Sequence, residues 1–270
     1  MLPPRTPLIL LPCNTKRMDF MQKTMKELKT CARGSLLGHY GVVIAALLFS
    51  QLIVLLFNIP FNRMTQQGIY YMVPSRIVLG TAGTIIVTLL SSLLNVGIAR
   101  IHLQIARRQQ TGLREIFYGF QNRPDKFLGY SALLLIISLI CVLPGIIIAS
   151  LPAAIPSFSD ASAATLALIG CILCVVGCIV LIILILSWAL TIYLLLDHPD
   201  LRVTDAMKQS RKLMRGHKWR LFLLILSFLG WLLFSILSFG IGLLWIMPYM
   251  TQTLVWFYLD FVPETADGNR

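Results

Sequence analysis

Charged side chains cut this chain into long stretches that contain none. Residues 77–99 lie between Arg76 and Arg100, and residues 41–59 follow His39 and Tyr40. Residues 127–159 lie between Lys126 and Asp160, and Pro152 and Pro156 are expected to end the helix there. Residues 161–196 separate Asp160 from Asp197, and residues 221–259 separate Arg220 from Asp260. At about 1.5 Å per residue, ~20 apolar residues cross a hydrocarbon core ~30 Å thick. The run 161–196 should hold one crossing. The last run is right for two, with Gly240-Ile241-Gly242 as the turn between them. The pattern predicts an all-α polytopic membrane protein with six transmembrane helices. Residues 18–262 form its single transmembrane domain, 1–17 a disordered N-terminal tail and 263–270 a C-terminal tail.

Three shorter stretches pair a helical stripe of apolar residues with cations. In residues 203–215 the stripe is Val203, Ala206, Met207, Leu213 and Met214, joined by Ser210, and the cations are Lys208, Arg211, Lys212 and Arg215. Before the first run, Met21, Met25, Leu28 and Ala32 accompany Lys23, Lys26, Lys29 and Arg33. Before the third, Leu113, Ile116, Phe117 and Phe120 accompany Arg114. Each is expected to be a basic amphipathic helix lying in the bilayer interface. Each also precedes a pair of spans, which outlines three units, 18–100, 111–196 and 203–260.

Composition agrees with the pattern. The chain is 57% hydrophobic and 13% charged, against about 25% charged in a soluble protein. The net charge of +12 does not point to nucleic acid, because the cations cluster beside apolar runs. Counted by segment, Lys and Arg number seven before the first span, then two, six, none, seven, none and one. Alternate segments are rich and poor, and the positive-inside rule places both termini in the cytoplasm. Tyr40, Trp219, Trp256 and Tyr258 fall near the expected interfaces. The apolar piece before Cys13 is short, interrupted by prolines and followed by no small-residue cleavage pattern, so it is read as tail.

Chemistry-bearing residues are sparse. All six cysteines, Cys13, Cys31, Cys141, Cys171, Cys174 and Cys178, are expected to be free thiols; Cys171, Cys174 and Cys178 share a helix face with Ala163, Ala167 and Gly170 and read as a small-residue packing surface. Gly80 and Gly83 suit close packing in the second span. His39, His102, His198 and His217 all stand at expected membrane edges, and none is assigned to a metal. Asn95 is the most polar group deep in the second span and is expected to pack against another helix or line a cavity. No Asp, Glu, Lys or Arg lies inside a span, and the loops show no catalytic motif. No catalytic residue, cofactor or metal site is nominated, and the chain is expected not to be an enzyme.

The stretch SRKLMRGHKWRLFLLILSFLGW, followed by FGIGLLWIMPYMTQTLVWFY, resembles a family of polytopic membrane proteins known as domain of unknown function nine-seven-five. The features that carry the likeness are Leu213-Met214, Gly216, Lys218, Trp231, Gly240-Ile241-Gly242, Trp245 and Pro248-Tyr249. The resemblance implies a bacterial integral membrane protein and brings no substrate or reaction. The expected location is the bacterial plasma membrane.

The leading functional reading is a protein that organises lipids or partner proteins at the cytoplasmic leaflet. Its anionic-lipid contacts would be Lys208, Arg211, Lys212, Arg215, Lys218, Arg220, Lys26, Lys29 and Arg33. The expected partners are membrane lipids with anionic headgroups and not nucleic acid; a protein partner or a homo-oligomer is left open. The alternative is a small permease or permease subunit without intramembrane ionisable residues, for which Asn95 and the proline-broken spans speak. A lipid-modifying enzyme ranks third, with no residues to nominate.

Overall fold

The computed structural model describes residues 23–154 and 160–262. The expected tails, and with them Met21 and Pro156, lie outside these residues. The described chain is helical, with no strand among the described residues. Its helices are α1 (Met25–Leu36), α2 (Tyr40–Tyr70), α3 (Pro74–Ala106), α4 (Tyr118–Gln121), α5 (Pro124–Ala154), α6 (Asp160–Trp188), α7 (Thr191–Asp197), α8 (Val203–Leu213), α9 (Lys218–Leu226), α10 (Leu229–Leu237) and α11 (Leu243–Phe261).

Five stretches are long and apolar enough to cross a membrane: Tyr40–Tyr70, Pro74–Ala106, Pro124–Pro152, Ala161–Asp197 and Lys218–Leu237. The fold is that of an all-α polytopic membrane protein. The sixth expected span coincides with α11, which is not among the five. Thr251, Gln252 and Thr253 dilute its apolar character, and Tyr249, Val255, Trp256, Phe257 and Tyr258 are buried in protein. Trp256 and Tyr258, expected at an interface, are therefore core residues. Trp219 does stand out, 66% exposed.

The middle basic segment is not a regular amphipathic helix. It is a 3-10 turn, Leu113–Phe117, that runs into α4. Arg100 explains the tighter winding. Its Nε lies 2.8 Å from Glu115 Oε2, and its guanidinium lies 3.6 Å from the Tyr118 ring centroid. Three residues per turn puts positions 115 and 118 on one side, so both meet the same guanidinium. Only Ile116 of the expected stripe is buried; Leu113, Phe117 and Phe120 are exposed.

The chain forms two compact units. The first takes the described residues up to Leu56, Leu94–Tyr118 and those from Leu223 onward; the second takes Phe57–Leu93 and Gly119–Phe222. In the first unit α1 packs along α11. Its core draws on Leu28, Ala32 and Leu36 of α1, Ile98, Ile101 and Ile105 of α3, and Val255 and Phe257 of α11.

In the second unit α5 and α6 pack as a hairpin. Glycine sets their spacing, because a Cβ on Gly145 would meet Cys174 Sγ at 2.6 Å, and one on Gly177 would collide with the Cys141 carbonyl oxygen. The packing stripe of α6 is thus Gly170, Cys174 and Gly177; Gly170 and Cys174 belong to the expected small-residue face, whereas Cys171 and Cys178 of that face are exposed. Cys141, Cys171, Cys174 and Cys178 are free thiols as expected. Cys31 departs from that expectation, being disulfide-bonded.

The run expected as one helix over 161–196 is broken at Ala189 and Leu190, between α6 and α7. Neither glycine nor proline causes the break. Ser210 Oγ donates to the Ser187 carbonyl at 3.0 Å, and Tyr130 OH donates to the Trp188 carbonyl at 3.4 Å. Side-chain hydroxyls satisfy the acceptors that a continuing helix would have used.

Gly177→Val should lower the unfolding temperature in detergent, since overpacking a close helix contact costs about 1–3 kcal/mol. Gly129, where an added methyl would meet nothing within 4 Å, is the control: Gly129→Ala should hold or slightly raise it, by up to about 1 kcal/mol.

Candidate functional site

The cations of α8 form a single stripe. Lys208, Arg211, Lys212 and Arg215 are all exposed; the spacing i, i+3 and i+4 puts the first three on one face of α8, and Arg215 follows in the turn just past its end. The other face, Ala206, Met207, Ser210 and Met214, is buried, against protein and not against lipid, because α8 packs on α5, α6 and α7. Gly216, at φ 85, then turns the chain toward α9. Lys218 and Arg220 follow it, both half-buried. The ion pair of Lys208 with Asp205, at 3.7 Å, joins two well-exposed side chains and contributes little.

The loop leading into α8 is tied down by other cations. Lys126 Nζ donates to the carbonyls of Pro199 and Leu201, at 2.5 and 2.9 Å. Arg123 donates to the Pro199 carbonyl at 3.1 Å and pairs with Asp200 at 3.3 Å. The stripe is therefore presented from a fixed base.

The cations of α1 have a different environment. Lys29 Nζ lies 4.6 Å from the Phe228 ring centroid, the Arg33 guanidinium 5.2 Å from that of Tyr249, and Lys23 Nζ 4.9 Å from that of Trp256. Each such contact is worth roughly 0.5–1 kcal/mol where solvent reaches it. Partial burial, and then the neighbouring charge of Arg33, hold the Lys29 amine below its ordinary value. A depressed lysine favours folding less below its folded value, and this penalty is relieved as pH rises toward the unfolded value. Lys26 faces outward. Thr24 and Glu27 close a capping box that starts the helix. The nine residues read as lipid contacts thus divide: Lys208, Arg211, Lys212, Arg215, Lys26 and Arg33 are exposed, Arg33 also lying over a ring, whereas Lys29, Lys218 and Arg220 are half-buried.

Pattern reading missed a second feature, a buried polar relay in the first unit. His102 is fully buried, not at an edge. Its Nδ1 lies 2.7 Å from Gln252 Oε1; because a carbonyl oxygen only accepts, Nδ1 carries the proton. Gln252 Nε2 and Trp256 Nε1 each donate to Ser35 Oγ at 3.1 Å, and Ser35 donates to the Ala32 carbonyl at 3.0 Å. His102 Nε2 is buried without a hydrogen-bond partner. The relay joins α1, α3 and α11. Gln252, an amide inside the last uncharged run, is its one sequence signal. Asn95 has no place in it and is exposed on α3. Among the described residues no group of three His, Cys, Asp or Glu could hold a metal ion.

Gln252→Leu should destabilise the protein by about 1–3 kcal/mol, because the His102 N–H and one acceptor site on Ser35 Oγ lose their partner in a buried setting. The readout is thermal unfolding in detergent. Adding His102→Leu should cost less than the sum of the single changes.

Neither the curated proteins nor the solved structures give a match. A family described as protein of unknown function (DUF975) matches residues 18–263, nearly the whole chain, and the chain belongs to that family.

Proposed function

We propose that this is a non-enzymatic, multi-pass protein of the bacterial plasma membrane that gathers anionic lipids, and proteins that come with them, at the cytoplasmic leaflet. The observation that carries the reading is the α8 stripe: three exposed cations on one face of a helix whose other face is buried in protein, with exposed Arg215 in the turn that follows. Each cation near an anionic leaflet is worth about 1 kcal/mol, so the stripe with Arg215 offers roughly 4 kcal/mol at low salt. A rigid base adds to this, since less conformational entropy is lost on binding.

Both termini are placed in the cytoplasm. The sorting of cations by segment supports this. So does one hydrogen bond, from the Lys23 backbone N–H to Asp260 Oδ1 at 3.1 Å. It holds the two ends of the described chain together, as an even number of crossings requires.

Purified protein in nanodiscs containing anionic lipid should unfold several degrees above the same protein in zwitterionic lipid, by about 4–8 °C per 1 kcal/mol for a small domain and less for a larger one. Changing Lys208, Arg211, Lys212 and Arg215 together to Gln should abolish that difference while leaving stability in zwitterionic lipid unchanged. Equal stability of the unmodified protein in both lipids would remove the reading.

A further inference from the structure

We propose that the α10–α11 hairpin does not cross the bilayer: it enters from the cationic face, turns near the midplane and returns, offering its tip to the acyl chains of that leaflet. The proposal rests on the membrane reading above and gives it a second lipid contact, below the headgroups.

Helix lengths provide the first argument. Gln252 of α11 is bonded to His102, two residues past Arg100, where the uncharged run of α3 ends. From that level α3 continues back to Arg76 as one helix, about 36 Å at 1.5 Å per residue, enough to cross the core. From the same level α11 and its turn reach Gly240 in only about 18 Å. The other arm, Lys218–Leu237, is long enough to cross if all of it lies in hydrocarbon, but the Lys29 ammonium lies over Phe228, which puts that residue at the cationic level, and from there to Phe239 is about 16 Å. Both arms reach about half the core thickness.

The tip is built for hydrocarbon. Phe239 is 97% exposed, Leu237 78%, Ile236 73% and Ile241 61%, and no charged residue lies between Arg220 and Asp260. By contrast the α2–α3 tip, Tyr70 to Met72, stands between Arg63 and Arg76, as a turn that reaches the far interface should.

Turns are normally kept out of hydrocarbon by unpaired backbone groups. Here every N–H from Ser238 to Leu243 has an acceptor within the hairpin. Ser238 donates to the Phe234 carbonyl at 3.2 Å, Phe239 to Ile236 at 3.1 Å, Gly240 to Ser235 at 2.8 Å, Ile241 to Ser238 at 3.1 Å and Leu243 to Gly240 at 3.0 Å. The Gly242 N–H donates to Ser238 Oγ at 3.1 Å. The two serine hydroxyls are also engaged, Ser235 on the Trp231 carbonyl and Ser238 on the Ser235 carbonyl. Closing the turn this tightly puts Phe239 at φ 52 and Gly240 at φ 85, and only the glycine adopts such a value without strain. The turn therefore leaves no N–H for water to satisfy.

The test is site-directed labelling of the full chain in proteoliposomes, each substitution compared with the unsubstituted protein to subtract its native thiols. Phe239→Cys and Ile241→Cys change exposed tip residues, so two independent positions report. Both should be lost to a membrane-impermeant maleimide from either face. A fluorophore attached there with a permeant reagent should be quenched most by lipids brominated near the acyl-chain ends. Met72→Cys should label from the face opposite Lys212→Cys. Labelling of position 239 from the Met72 face would mean a full crossing, and labelling from the Lys212 face a surface hairpin; either overturns the proposal. If instead Met72→Cys and Lys212→Cys label from one face, it is the membrane reading that fails.

Discussion

The first unit depends on α1 lying along α11. Leu28, Ala32 and Leu36 are completely buried by that packing, and each fully buried leucine contributes about 1.5–3 kcal/mol. The relay from Ser35 through Gln252 to His102 then joins the pair to α3. Apolar burial supplies most of the energy, and the polar contacts fix the register. A one-residue slide along the helix would rotate Ser35 by about 100°, away from both its donors. Once α1 is fixed in this way, its apolar face is no longer available to a bilayer.

Two helices with the same sequence signature therefore behave differently. Both α1 and α8 pair an apolar stripe with a cationic face, and both bury the stripe in protein. What separates them is the neighbourhood of the cations. Phe228, Tyr249 and Trp256 provide ring faces for Lys29, Arg33 and Lys23, so part of the charge of α1 is engaged within the fold. On α8, Lys208 meets only the nearby carboxylate of Asp205, one turn back on the same helix, and the stripe stays open to whatever lies outside the protein. A local rule for amphipathic helices cannot make this distinction, since it depends on residues that are remote in sequence.

The helices themselves were legible because the absence of charge over long runs is a constraint that few folds satisfy. Their ends were less so. The first uncharged run closes at Ile59, yet α2 continues to Tyr70, through Asn62, Arg63 and Gln67; polarity ends a crossing, and none of these residues ends a helix. His102, Trp256 and Tyr258 depart from expectation for a related reason. Hydropathy alone does not tell a residue facing lipid from one facing protein, and edge positions by chain count are core positions in space. The relay needs three segments brought together, and no spacing within any one of them announces it.

Side-chain hydroxyls account for two of the irregular places in the long apolar runs. Where the helix stops at Ala189 and Leu190, Ser210 and Tyr130 take up the exposed carbonyls; where it stops after Leu237, Ser238 Oγ accepts the Gly242 N–H and donates to the Ser235 carbonyl, holding the turn together from within. Elsewhere the hydroxyls fold back onto their own helix, as Thr81, Thr84 and Thr88 do along α3, which neutralises them without marking the backbone. The difference lies in whether the hydroxyl accepts a backbone N–H or meets a carbonyl of another segment. Serine in an apolar run is therefore an ordinary tenant of a helix until a second segment reaches it, and breaks in such runs are set by tertiary partners as much as by glycine or proline.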